Sequence, residues 1–191
     1  SQQTGMGELL FTKFPEIVAE TDEILGYSLS DLCLSPENTE KLGHKQFTQP
    51  ALYVVSYLQA MEELLEGEQA PVFFAGHSVG EYAALGASGA FSFSDGLRLV
   101  AKRGEIMAKV TDGGMAAVIG LELTRIKEVL HEIGAEEVDL ANFNSPGQTV
   151  LSGPSASIEP LAAPMKDAGA KMFVPLKVSG AFHSRMMEEP A

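Results

Sequence analysis

A chain of 191 residues, 45% of them hydrophobic, can bury one sizeable core, or a core with a small inserted subdomain. Its net charge of −13 argues against nucleic acid or an anionic membrane surface as partner, so an anionic substrate has to be drawn by a local cationic group. No apolar run approaches the roughly 18 residues that span a bilayer, and no charged-then-apolar signal segment leads the chain. The single cysteine, Cys33, permits no internal disulfide, so a reducing cytoplasm is the expected compartment. A chain that starts at Ser1 and stops at Ala191, just past an informative motif, is expected to be part of a longer protein.

In chain order, Gly5 to Leu25 carries apolar residues at largely helical spacing, interrupted at Phe14-Pro15, which predicts a short helix and a second starting near Pro15. Ser28 to Gln49 is polar and mixed and reads as surface connection, with Ser30 or Ser35 able to cap short helices and Cys33 as packing. Thr48-Gln49-Pro50 then opens a strong helix whose stripe of Ala51, Val54, Val55, Leu58, Met61 and Leu65 ends at Gly67. Val72 to Ala75 is a short apolar run of the kind a buried parallel strand uses, and Val79 to Leu85 is apolar at helical spacing. Ser94 is the expected cap of a helix running to about Val110.

From Met115 the pattern changes. A run over 115–120, a helix over 124–133, strands over 138–143 and 149–152, a helix over 155–168 that Pro164 should kink or break, and a strand over 172–178 follow in turn. That β-α-β-β-α-β order is the order of a ferredoxin-like unit. The expected architecture is α/β: an α/β-hydrolase-like core with a parallel sheet, residues 1–114 and 179–191, and an inserted ferredoxin-like subdomain, residues 115–178.

Chemistry concentrates at Gly76-His77-Ser78-Val79-Gly80, a match to G-x-S-x-G between an expected strand and an expected helix. Such a turn has to be sharp, and glycines flank Ser78 where a Cβ is expected to collide, so Ser78 is the candidate nucleophile. A helix beginning at Val79 points free N–H groups at the Ser78 hydroxyl, where one oxyanion donor is worth roughly 3 to 4 kcal/mol in the transition state. The plain alternative is a glycine-flanked turn with no chemistry.

Arg103 shares the stripe Leu99, Ile106, Met107 and Val110 of its helix, and a guanidinium on a buried face needs an anionic partner. A structural salt bridge and a planar, bidentate clamp for a substrate carboxylate are both open at this level. Of the four histidines, His44 and His131 lie among polar residues and His77 is the variable position of the turn. His183 follows a glycine-containing bend at a strand end, which makes it the candidate base for Ser78.

GHSVGEYAAL, the upstream TQPALYVV, AKRGEIM, GGMAAVIGL, NFNSPGQTVLSG and VSGAFHSRMM stand in the order found in malonyl-CoA:acyl-carrier-protein transacylases and the acyltransferase domains of polyketide synthases. The chain resembles that family along nearly its whole length, and GAFHSRMM is most similar to the free-standing, trans-acting acyltransferases of bacterial polyketide assembly lines. The resemblance implies that Ser78 is acylated, that His183 is its base and later the acid, that Arg103 holds the malonyl carboxylate, that the Val79 amide is an oxyanion donor and that Gln49 lines the active site. It implies malonyl-CoA as substrate and an acyl carrier protein as partner, with no metal and no bound cofactor, in polyketide or fatty acid biosynthesis. The family pattern opens with G-Q-G-S-Q, of which only Ser1-Gln2 match here, and it continues past the histidine motif. Since carrier proteins are commonly acidic like this chain, Arg98, Lys102 and Lys109 are the expected local attraction.

Three other readings compete. The same Ser-His pair with water as acceptor is an acyl hydrolase, which gains nothing from a desolvated guanidinium at Arg103. A general α/β-hydrolase expects an acid between serine and histidine in the chain, for which Asp139 or Asp167 is available. A docking domain that keeps the fold without turnover is the third.

Overall fold

The longest apolar stripe in the sequence becomes the longest helix. The computed structural model describes residues 2–67, 69, 71–178 and 180–188, so Ser1, Ser179 and Ala191 of the readings above lie outside the described residues. The chain divides into two units, Ser1–Ala108 and Lys109–Ala191.

The first unit carries helices α1 (Glu8–Lys13), α2 (Pro15–Leu25), α3 (Leu29–Leu34), α4 (Thr39–Gly43), α5 (Lys45–Glu66), α6 (Gly80–Ala87) and α7 (Phe93–Lys109). α5 starts one turn earlier than its sequence suggests and takes Pro50 into its interior, where the ring leaves no amide to bond Gln46. Thr48 secures that turn: its hydroxyl donates to the carbonyls of Leu42 at 2.6 Å and His44 at 3.0 Å, and its amide closes on His44 at 2.8 Å. The α5 face of Ala51, Tyr53, Val54, Val55 and Leu58 packs into a core with Leu29, Leu32, Leu42, Leu97 and Val100. Tyr53 stacks on both Tyr57 and Phe93, which also touch each other, and donates its hydroxyl to the Phe93 carbonyl at 3.0 Å.

Three expectations for this unit fail. Residues 28–49 are not surface connection but α3, a 3-10 turn at Pro36–Asn38, α4 and the start of α5, and they bury Leu29, Leu32, Cys33 and Leu42; one- and two-turn helices are too short to show a period against polar neighbours. Ser28, not Ser30 or Ser35, caps α3 by accepting from the Asp31 amide at 3.2 Å. Likewise Ser92, not Ser94, caps α7: it accepts from the Asp95 amide at 3.1 Å and donates to the Asp95 carboxylate at 2.6 Å, while Ser94 bonds Glu20.

The largest correction concerns Val72 to Ala75. No ladder forms there, and Val72 and Phe73 are 83% and 88% exposed. A strand exists by pairing its backbone with a neighbour, and every strand among the described residues belongs to the second unit and pairs antiparallel. The expected parallel sheet is therefore not what these residues build.

The second unit runs β1 (Gly113–Ile119), α8 (Leu123–Glu132), β2 (Asp139–Ser145), β3 (Gln148–Pro154), α9 (Ser155–Ile158), α10 (Ala162–Asp167) and β4 (Met172–Pro175), in the sheet order β2-β3-β1-β4. This is the ferredoxin-like order, in which β3 separates the two strands joined by α8. Ala116 and Val118, two residues apart on β1, share a face with Leu151 of β3 and bury it beneath Ile126 and Val129 of α8 and Met165 of α10. The helix expected over 155–168 is interrupted, but by a 3-10 turn at Glu159–Leu161; Pro164 sits in the first turn of α10, where a missing amide costs nothing. Among the described residues no helix is long and apolar enough to cross a membrane.

Cys33 is fully buried, and desolvation of the thiolate pushes its thiol from 9.0 up to about 12. The unfolded chain thus loses this proton above pH 9 while the folded chain keeps it, so the contribution of this group to stability falls as pH rises from 9 toward 12. At pH 8 Cys33 should react with a thiol-modifying disulfide at the rate of unfolding; complete reaction of the native protein within the mixing time would contradict this burial.

Candidate active site

Three elements of the first unit converge on Ser78. The turn 76–79 that leads into α6 carries Ser78, α5 supplies Gln49, and α7 supplies Arg103.

Ser78 holds φ 54°, a left-handed backbone that costs a side-chain-bearing residue roughly 1 to 3 kcal/mol and persists where surroundings enforce it. The enforcement is visible. The amides of Gly80, Glu81 and Tyr82 close on the carbonyls of His77, Ser78 and Val79 at 3.0, 3.2 and 3.2 Å. A Cβ built on Gly76 would run into the Gly80 carbonyl and the Glu81 amide, so this position has to be glycine. Gly80 differs: a Cβ there meets open space, and the expectation of collision on both sides holds on one side only. Val79, half-buried with φ −60°, forms the corner from which α6 starts.

Gln49 is 6% exposed, and both ends of its amide are used. Its Nε2 donates to Met107 Sδ at 3.0 Å, and its Oε1 accepts from Arg103 Nη1. Arg103 Nη2 in turn donates to Ser78 Oγ at 3.2 Å, and the guanidinium carbon lies 5.9 Å from the centre of the Tyr82 ring. Burial lowers the Arg103 pKa from its ordinary value, Tyr82 and Glu81 opposing. Arg103 does bond Ser78 and Gln49, but it does not lie on the helix face expected for it from the sequence. The buried face of α7 is Gly96, Leu97, Val100, Gly104 and Met107, while Leu99 is 51% exposed. Arg103 is half-buried at the border of that face. The stripe was displaced because Gly104 reads as a gap in hydropathy, whereas a Cβ there would stand 2.9 Å from the Lys45 carbonyl at the start of α5.

Tyr82 was not singled out in the sequence, and Met107 entered only as a member of the α7 stripe. Their signal was one helical turn of spacing, Met107 from Arg103 and Tyr82 from Ser78. Arg98 and Lys102 lie exposed on α7 and pair with Asp95 at 3.8 Å and Glu105 at 3.2 Å on their own helix.

His183 belongs to the second unit. It is exposed and, like Ser78, adopts a left-handed backbone, φ 57°. It follows the buried Ala181 and Phe182 and precedes Ser184, whose hydroxyl donates to the Ala181 carbonyl at 2.6 Å. His44, His77 and His131 are exposed. Asp139, considered in the sequence as a triad acid, has both carboxylate oxygens engaged by Arg185, which holds its carboxyl below the usual range; Asp167 is exposed. Among the described residues no group of three or more His, Cys, Asp or Glu could hold a metal ion.

This turn makes a differential prediction. Gly76→Ala should lower the melting temperature by several degrees, as overpacking costs of about 1 to 3 kcal/mol require, while Gly80→Ala should leave it within about a degree. Equal melting temperatures for the two variants would refute the close approach at Gly76.

The acyl transferase domain family matches residues 1–191. The chain is 49% identical to the polyketide biosynthesis malonyl CoA-acyl carrier protein transacylase BaeC of Bacillus velezensis, over 99% of this chain and 65% of that protein. Among solved structures, the malonyl CoA-acyl carrier protein transacylase of Burkholderia pseudomallei is similar with a TM-score of 0.92 at 42% identity, over 100% of this chain and 65% of that one. A malonyl-transacylase solved in complex with a type II polyketide synthase acyl-carrier protein follows with a TM-score of 0.89 at 38% identity, over 99% of this chain and 63% of that one. The chain spans 16% to 66% of the length of the first curated relatives it matches. A serine on a strained turn, a guanidinium bonded to it, and a family match over the full chain agree: this chain belongs to the acyl transferase domain family.

Proposed function

We propose that this chain carries the acyl-transfer chemistry of a malonyl-CoA:acyl-carrier-protein transacylase in polyketide or fatty acid biosynthesis. In the first half-reaction Ser78 Oγ attacks the thioester carbonyl of malonyl-CoA, His183 takes the hydroxyl proton, and the carbon–sulfur bond breaks to release CoA, which receives that proton. In the second, the phosphopantetheine thiol of the carrier protein attacks the seryl ester, His183 moves the thiol proton to Ser78, and the malonyl thioester leaves on the carrier. The Val79 amide at the corner of α6 is the proposed donor to the oxyanion of both tetrahedral intermediates. A thioester is already activated, so the reading calls for no metal and no resident cofactor.

The observation that carries this reading is the 3.2 Å bond from Arg103 Nη2 to Ser78 Oγ. Once the serine is acylated, a malonyl carboxylate stands three bonds from that oxygen, within reach of the guanidinium. Gln49 presents the guanidinium edge-on by holding Nη1, so a planar carboxylate meets a planar donor. A hydrolase of uncharged acyl groups would bear the desolvation of Arg103 with no return, which favours transfer of a dicarboxylic acyl group over the hydrolytic alternative. The carrier-bound relative supports an acyl carrier protein as acceptor. The strained serine turn ahead of α6 supports an α/β-hydrolase-like setting for the first unit, and the lone, buried thiol of Cys33 fits a cytoplasmic protein.

Incubation with malonyl-CoA should add one malonyl group to the intact protein, located at Ser78 by peptide mapping and absent from Ser78→Ala. Arg103→Ala should lower malonyl transfer by about two orders of magnitude, as loss of one partner of a desolvated charge pair implies, with acetyl transfer far less affected. Equal slowing of malonyl and acetyl transfer would remove Arg103 as the carboxylate clamp, and a folded protein that never acquires the adduct would favour a docking role.

A further inference from the structure

The second unit holds an ion pair whose geometry exceeds what a surface pair needs. Arg185, two residues after His183, donates to Asp139 from its guanidinium, Nη2 to Oδ1 at 2.7 Å and Nε to Oδ1 and Oδ2 at 3.1 and 3.2 Å. Its backbone amide also donates, to Oδ2 at 2.7 Å. An exposed salt bridge fixes two side chains and little else, but a carboxylate that also takes the amide fixes the main chain.

The main chain at this place needs fixing. His183 is held at φ 57°, which a residue with a Cβ avoids unless its neighbours impose it. On the N-terminal side Ala181 and Phe182 are buried, and the Ala181 backbone abuts Gly113 at the start of β1 so closely that no Cβ would fit on that glycine. On the C-terminal side Ser184 ties the loop only to itself, donating to Ala181 and accepting from the Met186 amide at 3.2 Å. Asp139, which bonds the loop at Arg185, is the first residue of β2 and stands in register opposite Ser152 of β3. The nearby Glu137 is engaged by Ser157 at 2.8 Å. Asp139 is also the less exposed partner, its side chain 21% accessible against 56% for Arg185, as befits the anchor of the pair.

We propose that Asp139 is a positioning residue for His183, acting through the Arg185 amide and guanidinium to hold the left-handed turn that presents the imidazole. This rests on the reading of His183 as the base; Asp139 touches no reacting atom. Arg185 is then the second half of the device, with the smaller share, because Arg185→Ala keeps the amide that Asp139 grips.

In the intact protein, Asp139→Ala should speed hydrogen exchange of the amides of Arg185 and Met186 by at least about tenfold while the β1 amides keep their protection. It should lower kcat for malonyl transfer by at least about tenfold, with KM for malonyl-CoA changed less than about twofold, since orientation of the base is lost and substrate binding is not. Arg185→Ala should show a smaller loss, and the double variant should match Asp139→Ala alone rather than the product of the two. Unchanged exchange in the loop, exchange rising equally across β1, an unchanged kcat, or multiplicative losses would each overturn the proposal. Wild-type protein that forms the malonyl adduct alongside a kinetically normal Asp139→Ala sinks the positioning role only. Wild-type protein that leaves Ser78 unmodified sinks the reading of His183 and this role with it.

Discussion

A guanidinium half removed from water in a strongly acidic chain needs acceptors, and Arg103 finds uncharged ones: the Gln49 amide oxygen and the Ser78 hydroxyl. The other end of the Gln49 amide bonds Met107, which stands one turn beyond Arg103 on α7. α7 approaches α5 through Gly104, and the early turn of α5 is held despite Pro50 by the hydroxyl of Thr48. Both hydrogen-bond acceptors are neutral, so it is Tyr82 and Glu81, acting electrostatically, that oppose the effect of burial on the guanidinium.

The serine turn and the histidine turn share a device. Both reactive candidates sit in the left-handed region without being glycine, and the only other such residue among those described is Asp112. At Ser78 the strain is held by three consecutive amide bonds of the first turn of α6 and by the absence of a side chain at Gly76. At His183 it is held by buried residues on one side and by the carboxylate of Asp139 on the other. Strained backbone of this kind lifts one side chain clear of its neighbours, and it persists only where the surroundings are over-determined.

Much of the site was legible in one dimension because its signals are local. G-x-S-x-G states a turn geometry within five residues, and the β-α-β-β-α-β order of the second unit is written in periods that change from two to 3.6 and back. Ser78 and Arg103 could be named by number from such patterns, Gln49 only through the family resemblance, and three of the strands by approximate extent. The errors were also physical in origin. Caps were misplaced because serines at 28, 30 and 35, or at 92 and 94, have equal propensity, and only the backbone amides they accept from decide among them. Residues 28–49 looked polar since one- and two-turn helices show no period. Val72 to Ala75 looked like a strand because composition records the taste of a segment for pairing and not the presence of a partner.

What the sequence by itself determined is the set of chemical capacities: a serine in a turn that strains it, an arginine one helix away, a histidine after a bend, and an antiparallel α/β unit whose hydrophobic period admits few other arrangements. What only the tertiary structure decided is which of these capacities are coupled. That Gln49 bridges Arg103 and Met107, that Gly104 lets two helices touch, and that Asp139 serves Arg185 rather than an imidazole are contacts between residues 46 to 59 positions apart, or between a side chain and a backbone. A hydrogen bond depends on distance and angle to about half an ångström, and no local pattern encodes where a residue fifty positions away will stand.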